Sequence, residues 1–334
     1  MNNKAMPNKS IRFKLSQISK IIKQSKTFFI AGHINPDCDS LGSSLALRSV
    51  LKRLGKKAEV YCGDEIPDAA LSIKNSSKIK KNPPKNKIFD CAVILESSNL
   101  ERIGNLISKR QAKKIINIDH HLINSNFGDV NWIDPNSSSA AELVLRLFEF
   151  MKIKLNKDEA ESLYFGLLTD TGGFKNSNTR ADSHLAAAKL FACGIDADFV
   201  RSRVFSRDSF ASLKLLGCAL SNMQTCFDGQ ISYTFLDLEM FKQCGASQKD
   251  ADGISVFLLK LDGAKAGFFI KEEDISKLKV SLRSIKNFNI LKIAKMFGGG
   301  GHKNAAGFFM DGGIESAVAK IKEAFKTELE NFNG

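Results

Sequence analysis

Residues 27–39 read TFFIAGHINPDCD. Phe28, Phe29, Ile30 and Ala31 run without alternation into Gly32, and a histidine and two aspartates follow at once. An unbroken apolar run of this length marks a strand buried on both faces. In an open parallel sheet, ligands bind outside the carboxyl ends of the strands. His33, Asp37 and Asp39 therefore stand where a site belongs. Leu41, Leu45, Val50, Leu51 and Leu54 recur at helical spacing, and Gly55 closes that helix. Further strands are expected over 58–62, 90–95 and 115–118, and helices over 157–168 and 181–193. Ser139-Ala-Ala-Glu142 has capping-box spacing ahead of an apolar run to Phe150. Together these predict an α/β fold whose N-terminal parallel sheet carries helices on both faces.

The texture changes after about Gln230. Runs at 231–236, 255–261, 267–270 and 279–282 read as β, 290–297 as a helix, and 314–325 as a closing amphipathic helix. Three parts result: 1–195, a polar linker-helix region at 196–229 containing Arg201, Arg203 and Arg207, and a smaller α/β domain at 230–334.

Hydrophobic residues make up 43% of the 334 and charged ones 25%, which excludes a disordered, collagen-like or disulfide-stapled chain. Lys and Arg outnumber Asp and Glu by 49 to 36, a net +13. Such a surplus suits nucleic acid, an anionic membrane or a phosphorylated substrate, and does not choose among them. Seven cysteines without a CxxC fit a reducing cytoplasm. No apolar run reaches the ~18 residues of a membrane span. Lys4, Lys9, Arg12 and Lys14 begin a basic N-terminus in which Leu15, Ile18 and Ile22 predict an amphipathic helix with a solvated face.

The other strand ends repeat the chemistry of the first. The third strand ends in Glu96 and the fourth in Asp119-His120-His121, while Asp170 ends a predicted helix. Each alone reads as a cap or a satisfied polar group. As a set they do not, because three of the five histidines fall at strand ends. Imidazole and carboxylate without thiolate suit Mn²⁺, with Mg²⁺ or Fe²⁺ as alternatives. The donors outnumber the needs of one ion, which suggests two ions about 3.5–4 Å apart sharing a carboxylate.

His33-x3-Asp37-x-Asp39 followed by Asp119-His120-His121 resembles the DHH phosphoesterase superfamily, and within it the bacterial nanoRNase group that degrades oligoribonucleotides and dephosphorylates pAp. Gly298-Gly299-Gly300-Gly301-His302 resembles the glycine motif of the DHH-associated substrate domain. The resemblance implies a DHH catalytic domain and a C-terminal substrate-binding domain. It implies His33, Asp37, Asp39, Glu96, His120 and Asp170 as ligands to two divalent cations, most readily Mn²⁺. Asp119 would orient its neighbours and His121 would face substrate phosphate. Arg283, Gly299, Gly300, Gly301 and His302 would hold the nucleotide. Two departures stand out. Glu96 replaces the usual Asp, with Asp90 as its rival, and Cys38 replaces a Gly, as packing beside the metals with a thiol open to oxidation.

The implied reaction is attack of a metal-bridged hydroxide on phosphorus, releasing mononucleotides from short RNA (dinucleotides such as pApA included) or the 3′-phosphate from pAp. The expected partners are a short RNA or nucleotide phosphate and no membrane, and a homodimer is compatible with this. A RecJ-like single-strand exonuclease is an alternative, for which 334 residues leave no room for an extra nucleic-acid-binding domain. A pyrophosphatase of the same superfamily would lack the GGGGH run. Outside enzymes, the alternative is a nucleotide-binding regulator without catalysis.

Overall fold

The computed structural model describes residues 9–205, 209–285 and 287–333, so Lys4 and Arg207 lie outside the described residues. The chain divides into two compact units, Met1–Ser206 and Arg207–Gly334.

The first unit runs α1 (Lys9–Gln24), β1 (Thr27–Ala31), α2 (Cys38–Arg53), β2 (Lys57–Val60), α3 (Asp68–Leu71), β3 (Cys91–Leu95), β4 (Ile115–Asp119), β5 (Val130–Ile133), α4 (Ala140–Phe150), α5 (Lys157–Asp170), α6 (Ala181–Phe191) and α7 (Ala197–Val204). Its five strands lie in the order β2-β1-β3-β4-β5, and every neighbouring pair is parallel. Successive side chains of a strand point to opposite faces. Phe28 and Ile30 therefore join the core beneath α1, α2, α4 and α5, while Phe29 and Ala31 join a second core on the other face. That second face is closed by Ile103 of the 3₁₀ helix Glu101–Ile103, with Ile107 and Ala112 from the chain that follows, rather than by α-helices. Strand β5 was not expected from the sequence. Its four residues, VNWI, lie at the sheet edge and alternate buried with half-buried side chains, in place of the continuous burial of β3 and β4.

The strand order reverses beside β1, since β2 lies on one side of it and β3 on the other. A crevice opens at such a switch point, outside the carboxyl ends of the two diverging strands. Those ends lead into His33 and Glu96.

Helices α2 and α5 meet closely because two glycines face the contact. A Cβ on Gly42 would lie 2.3 Å from Ser162 O, and one on Gly166 would lie 2.4 Å from Asp39 Oδ1. Ser139 caps α4 by accepting from Glu142 N. The expected capping box is only half formed, because Glu142 Oε2 takes Ser138 N and Ser138 Oγ instead.

The second unit contains α8 (Phe210–Ser221), β6 (Gln224–Cys226), β7 (Ile231–Leu236), α9 (Leu238–Cys244), β8 (Ala266–Asp274), β9 (Lys277–Ser284), α10 (Leu291–Met296), β10 (Gly300–His302), β11 (Ala305–Asp311) and α11 (Ile314–Asn333). The mixed sheet has the order β10-β11-β9-β8-β7-β6. Residues of α10 and α11 close one face, and α8, α9 and the 3₁₀ segment Ile254–Lys260 cover part of the other. The run at 255–261 is thus not a strand. Gly253 enters it at φ +86°, and Ile254, Ser255 and Leu258 are buried at the spacing of a turn, not in alternation. The segment read as one linker region splits, with α7 packing on α5 and α8 packing on α9 and β7.

Among the described residues no helix is long and apolar enough to cross a membrane. The Gly42→Ala variant is expected to lose about 1–3 kcal/mol of stability, read as a lower denaturant midpoint. Alanine's better helix propensity, worth about 1 kcal/mol, will not offset a clash with backbone. A midpoint at or above that of the unaltered protein would contradict the close α2–α5 contact.

Candidate metal centre

Glu96 is the centre of the arrangement. Its Oε1 lies 3.7 Å from His33 Nε2 and 3.7 Å from His120 Nε2. His33 Nε2 is also 3.8 Å from Asp37 Oδ2. His120 Nε2 is 4.0 Å from Asp39 Oδ2 and 3.2 Å from Asp170 Oδ2. Three overlapping donor groups result, His33–Asp37–Glu96, Asp39–Glu96–His120–Asp170 and Glu96–His120–His121, and all three share Glu96. All six expected ligands therefore come together. Asp90 does not join them. It precedes β3 at the opposite end of the strand, where Lys113 Nζ at 2.8 Å and the N–H groups of Lys26 and Thr27 hold its carboxyl well below the usual range.

The fold supplies these positions for identifiable reasons. Asp37 caps α2, accepting from Ser40 N at 2.9 Å. Asp39 is fully buried and faces the start of α4, where Ala140 N and Ala141 N donate to its two oxygens at 2.6 and 2.8 Å. A helix N-terminus presents such unsatisfied donors and favours an anion. Glu96 ends β3 in the left-handed region, at φ +54°. Strain of this kind in a non-glycine residue persists where the surroundings hold it, and it gathers at functional sites. Asp170 closes the last turn of α5, the end of a helix dipole where an acid is unfavourable.

Two buried atoms in the cluster, Glu96 Oε2 and His120 Nε2, have no hydrogen-bond partner. A buried polar atom left without a partner costs roughly 1–3 kcal/mol, and bound cations would remove that cost. His33 Nδ1 contacts Ile34 O at 2.7 Å, which leaves Nε2 for a ligand. The donor set therefore fits divalent metal.

The bare cluster retains protons instead. Burial alone would lower His33, but Asp37 and Glu96 raise it to about 11. For His120 burial also pulls downward, yet Glu96 and Asp39 raise it to about 9. Burial, followed by the charges of Asp39, Glu96 and Asp37, pushes Asp170 to about 11. Burial together with Glu96 raises Asp39 as well. Against burial, His33 and the Ser40 N–H keep Asp37 below the usual range.

Asp119 is fully buried beside this group. It accepts from His121 Nδ1 at 2.7 Å and from Asn124 Nδ2 at 2.6 Å, and these partners hold it low despite burial. His121 is partly exposed next to Glu96 and His120. Asn124, which was not anticipated, buttresses Asp119 and accepts from Asn117 Nδ2. Its signal was slight, a single amide in the polar stretch that follows the paired histidines. Cys38 is buried, and burial with the charges of Asp37, Asp39 and Asp170 pushes its thiol up to about 11, against the expected sensitivity to oxidation.

In the second unit Arg283 lies on β9 opposite Ala305, and Gly300–His302 form the exposed edge strand β10. Two of the glycines have structural reasons to be there. A Cβ on Gly299 would lie 2.2 Å from Gly307 O, and one on Gly301, whose φ is +133°, would lie 2.6 Å from Ala305 O.

Residues 27–167 match the family model for the DHH family, N-terminal domain, and residues 229–331 that for the DHHA1 domain. An uncharacterized protein of Mycoplasma genitalium, MG371, is 30% identical over 89% of this chain and 90% of its own. The chain belongs to the DHH family of phosphoesterases. Among its DHH relatives, the Thermus thermophilus bifunctional oligoribonuclease and PAP phosphatase NrnA is 29% identical, over 95% of this chain and 94% of that one. The Bacillus subtilis protein of the same name is 27% identical over 87% and 92%. A solved exopolyphosphatase-related protein from Bacteroides fragilis superposes with a TM-score of 0.80 at 28% identity, over 96% of both chains. The exonuclease RecJ bound to manganese, at 15% identity and a TM-score of 0.51, shares the fold.

Linkage fixes the pH behaviour of this DHH centre. His33, His120 and Asp170 have folded-state values above their ordinary ones, so their stabilisation of the metal-free protein is present at low pH. It is lost as pH rises toward about 9 to 11. Metal must displace those protons. Calorimetry in buffers of different ionisation enthalpy should show roughly two to three protons released on Mn²⁺ binding near neutral pH. The rise in melting temperature on adding Mn²⁺ should be larger at about pH 8 than at about pH 6. Binding without proton release would contradict the protonated cluster.

Proposed function

We propose that the chain is a two-metal hydrolase that cleaves short oligoribonucleotides to mononucleotides and removes the 3′-phosphate of PAP. The observation that carries this reading is Glu96 Oε1, equidistant at 3.7 Å from His33 and His120, with Oε2 unpartnered. A carboxylate so placed would serve two adjacent cations, and the full-length similarity to NrnA proteins supports the substrate class. Mn²⁺ suits the imidazole and carboxylate donors, and the protonated Cys38 thiol offers no competing soft ligand.

His33, Asp37 and Glu96 would hold one cation, and Asp39, Glu96, His120 and Asp170 the other. When bound, such a pair supplies Lewis acidity and a nucleophile at neutral pH. The protein's own groups do the positioning. Asp119 fixes His121 through Nδ1, which leaves Nε2 for an oxygen of the phosphate. The helix α4 N–H groups fix Asp39, so that carboxylate cannot swing away as substrate enters. Arg283 and the Gly299–His302 segment are the proposed nucleotide donors of the second unit, since a guanidinium forks onto phosphate.

Purified chain with Mn²⁺ should release mononucleotide from a labelled diribonucleotide and orthophosphate from PAP, in preference to cutting long single-stranded DNA or pyrophosphate. Binding of nucleotide without turnover would favour the regulator instead. Glu96→Gln should lower kcat on the dinucleotide by more than about 100-fold, beyond the 10–100-fold typical of residues that only support a ligand. A variant retaining full Mn²⁺-dependent activity would remove Glu96 from the site.

A further inference from the structure

One face of the second sheet is only partly covered. Along β9, Leu278, Val280 and Leu282 point into the core beneath α10 and α11, so Lys279, Ser281 and Arg283 point the other way. The register places Ala305 opposite Arg283, Gly307 opposite Ser281 and Phe309 opposite Lys279. Directly paired residues share a face. This face therefore carries a row of cation, hydroxyl and cation beside a row of alanine, glycine and a large aromatic. Gly307 is small for a reason of its own, since a Cβ there would lie 2.7 Å from Val280 O of β9.

Three details show that the row is available to an anionic ligand. Arg283 donates Nη1 only to Leu282 O at 2.9 Å and has no carboxylate partner among the described residues. Phe309 is 65% exposed, and Lys279 Nζ lies 5.8 Å from its ring centroid. Lys279 has one acidic neighbour, Glu273 at 3.8 Å, which sits closer to Lys271 at 3.3 Å and so is shared between two ammonium groups. Four residues of strand separate Arg283 from Lys279, or about 13 Å. A mononucleotide phosphate held at Arg283 has no use for a second cation and an aromatic at that distance. An extended single strand does, because bases stack on aromatic faces while cations track its phosphates.

We propose that this face is a subsite for short single-stranded RNA, in which Phe309 stacks on a base beyond the nucleotide at Arg283 and Lys279 meets its phosphate. The proposal deepens the oligoribonuclease reading and rests on it. The face would let the same protein hold an oligonucleotide more tightly than PAP, which is too short to reach Phe309.

The test uses the full chain with Mn²⁺ and RNA of two to five nucleotides, with kcat and KM measured at each length. Fluorescence anisotropy of a labelled pentanucleotide in Ca²⁺ gives binding separately. Phe309→Ala should raise the ratio of pentanucleotide KM to dinucleotide KM about tenfold, the loss of roughly one stacked base, and Phe309→Trp should restore it. Lys279→Gln should flatten the salt dependence of pentanucleotide binding by about one phosphate contact. An unchanged KM ratio and salt slope would overturn the subsite while leaving the oligoribonuclease reading intact. If the unaltered protein binds the pentanucleotide without cleaving it, the catalytic reading falls, and the anisotropy of the variants still decides the subsite. Absence of both binding and cleavage overturns both. Concentration-dependent self-association abolished by Phe309→Ala, without RNA binding, would assign the face to a second copy.

Discussion

Asp39, Glu96 and Asp170 lie within ligating reach of one another in a space that solvent barely enters. Buried like charges at this separation repel strongly, and burial weakens the screening that would relieve them. Much of the first unit can be understood as the means of keeping them together. The start of α4 faces Asp39 with two N–H groups. The histidines His33 and His120 alternate with the carboxylates. What the protein does not neutralise, protons or cations must.

Precision at the centre depends on packing some way behind it. Gly166 leaves room for the Asp39 carboxylate against α5, and Gly42 lets α2 approach the same helix. The donors thus stand at three strand ends, one helix start and one helix end that are locked against one another. Elements of this kind hold side chains more closely than loops do. The topology contributes too, since the reversal of strand order at β1 and β3 opens the crevice where His33 and Glu96 emerge.

The parallel sheet of the first unit was readable because its central strands are apolar on both sides, as CAVIL and IINI show. The metal ligands were readable because their residue types are rare at strand ends. VNWI gives little signal because it is an edge strand with Asn131 and Ile133 only half-buried, and 255–261 reads as a strand because an apolar run does not distinguish one from a 3₁₀ segment. The helices expected over both faces are α-helices on one and a short 3₁₀ helix on the other. The roles of Ala140 N and Ala141 N are not legible in the sequence, and that of Asn124 is barely so. They depend on backbone donors or on partners brought together only by folding.

The carboxylates of the centre are not equally bound to the fold. Asp37 caps a helix and Asp39 joins two, so each has a structural reason to remain even in a descendant with no chemistry to perform. Asp170 has none: it sits half-buried among like charges at the unfavourable end of α5. In a lineage released from catalysis, position 170 would be the first of the set free to drift toward a neutral residue. An acid kept there is therefore a better mark of a working enzyme than the histidine and aspartates that open the motif.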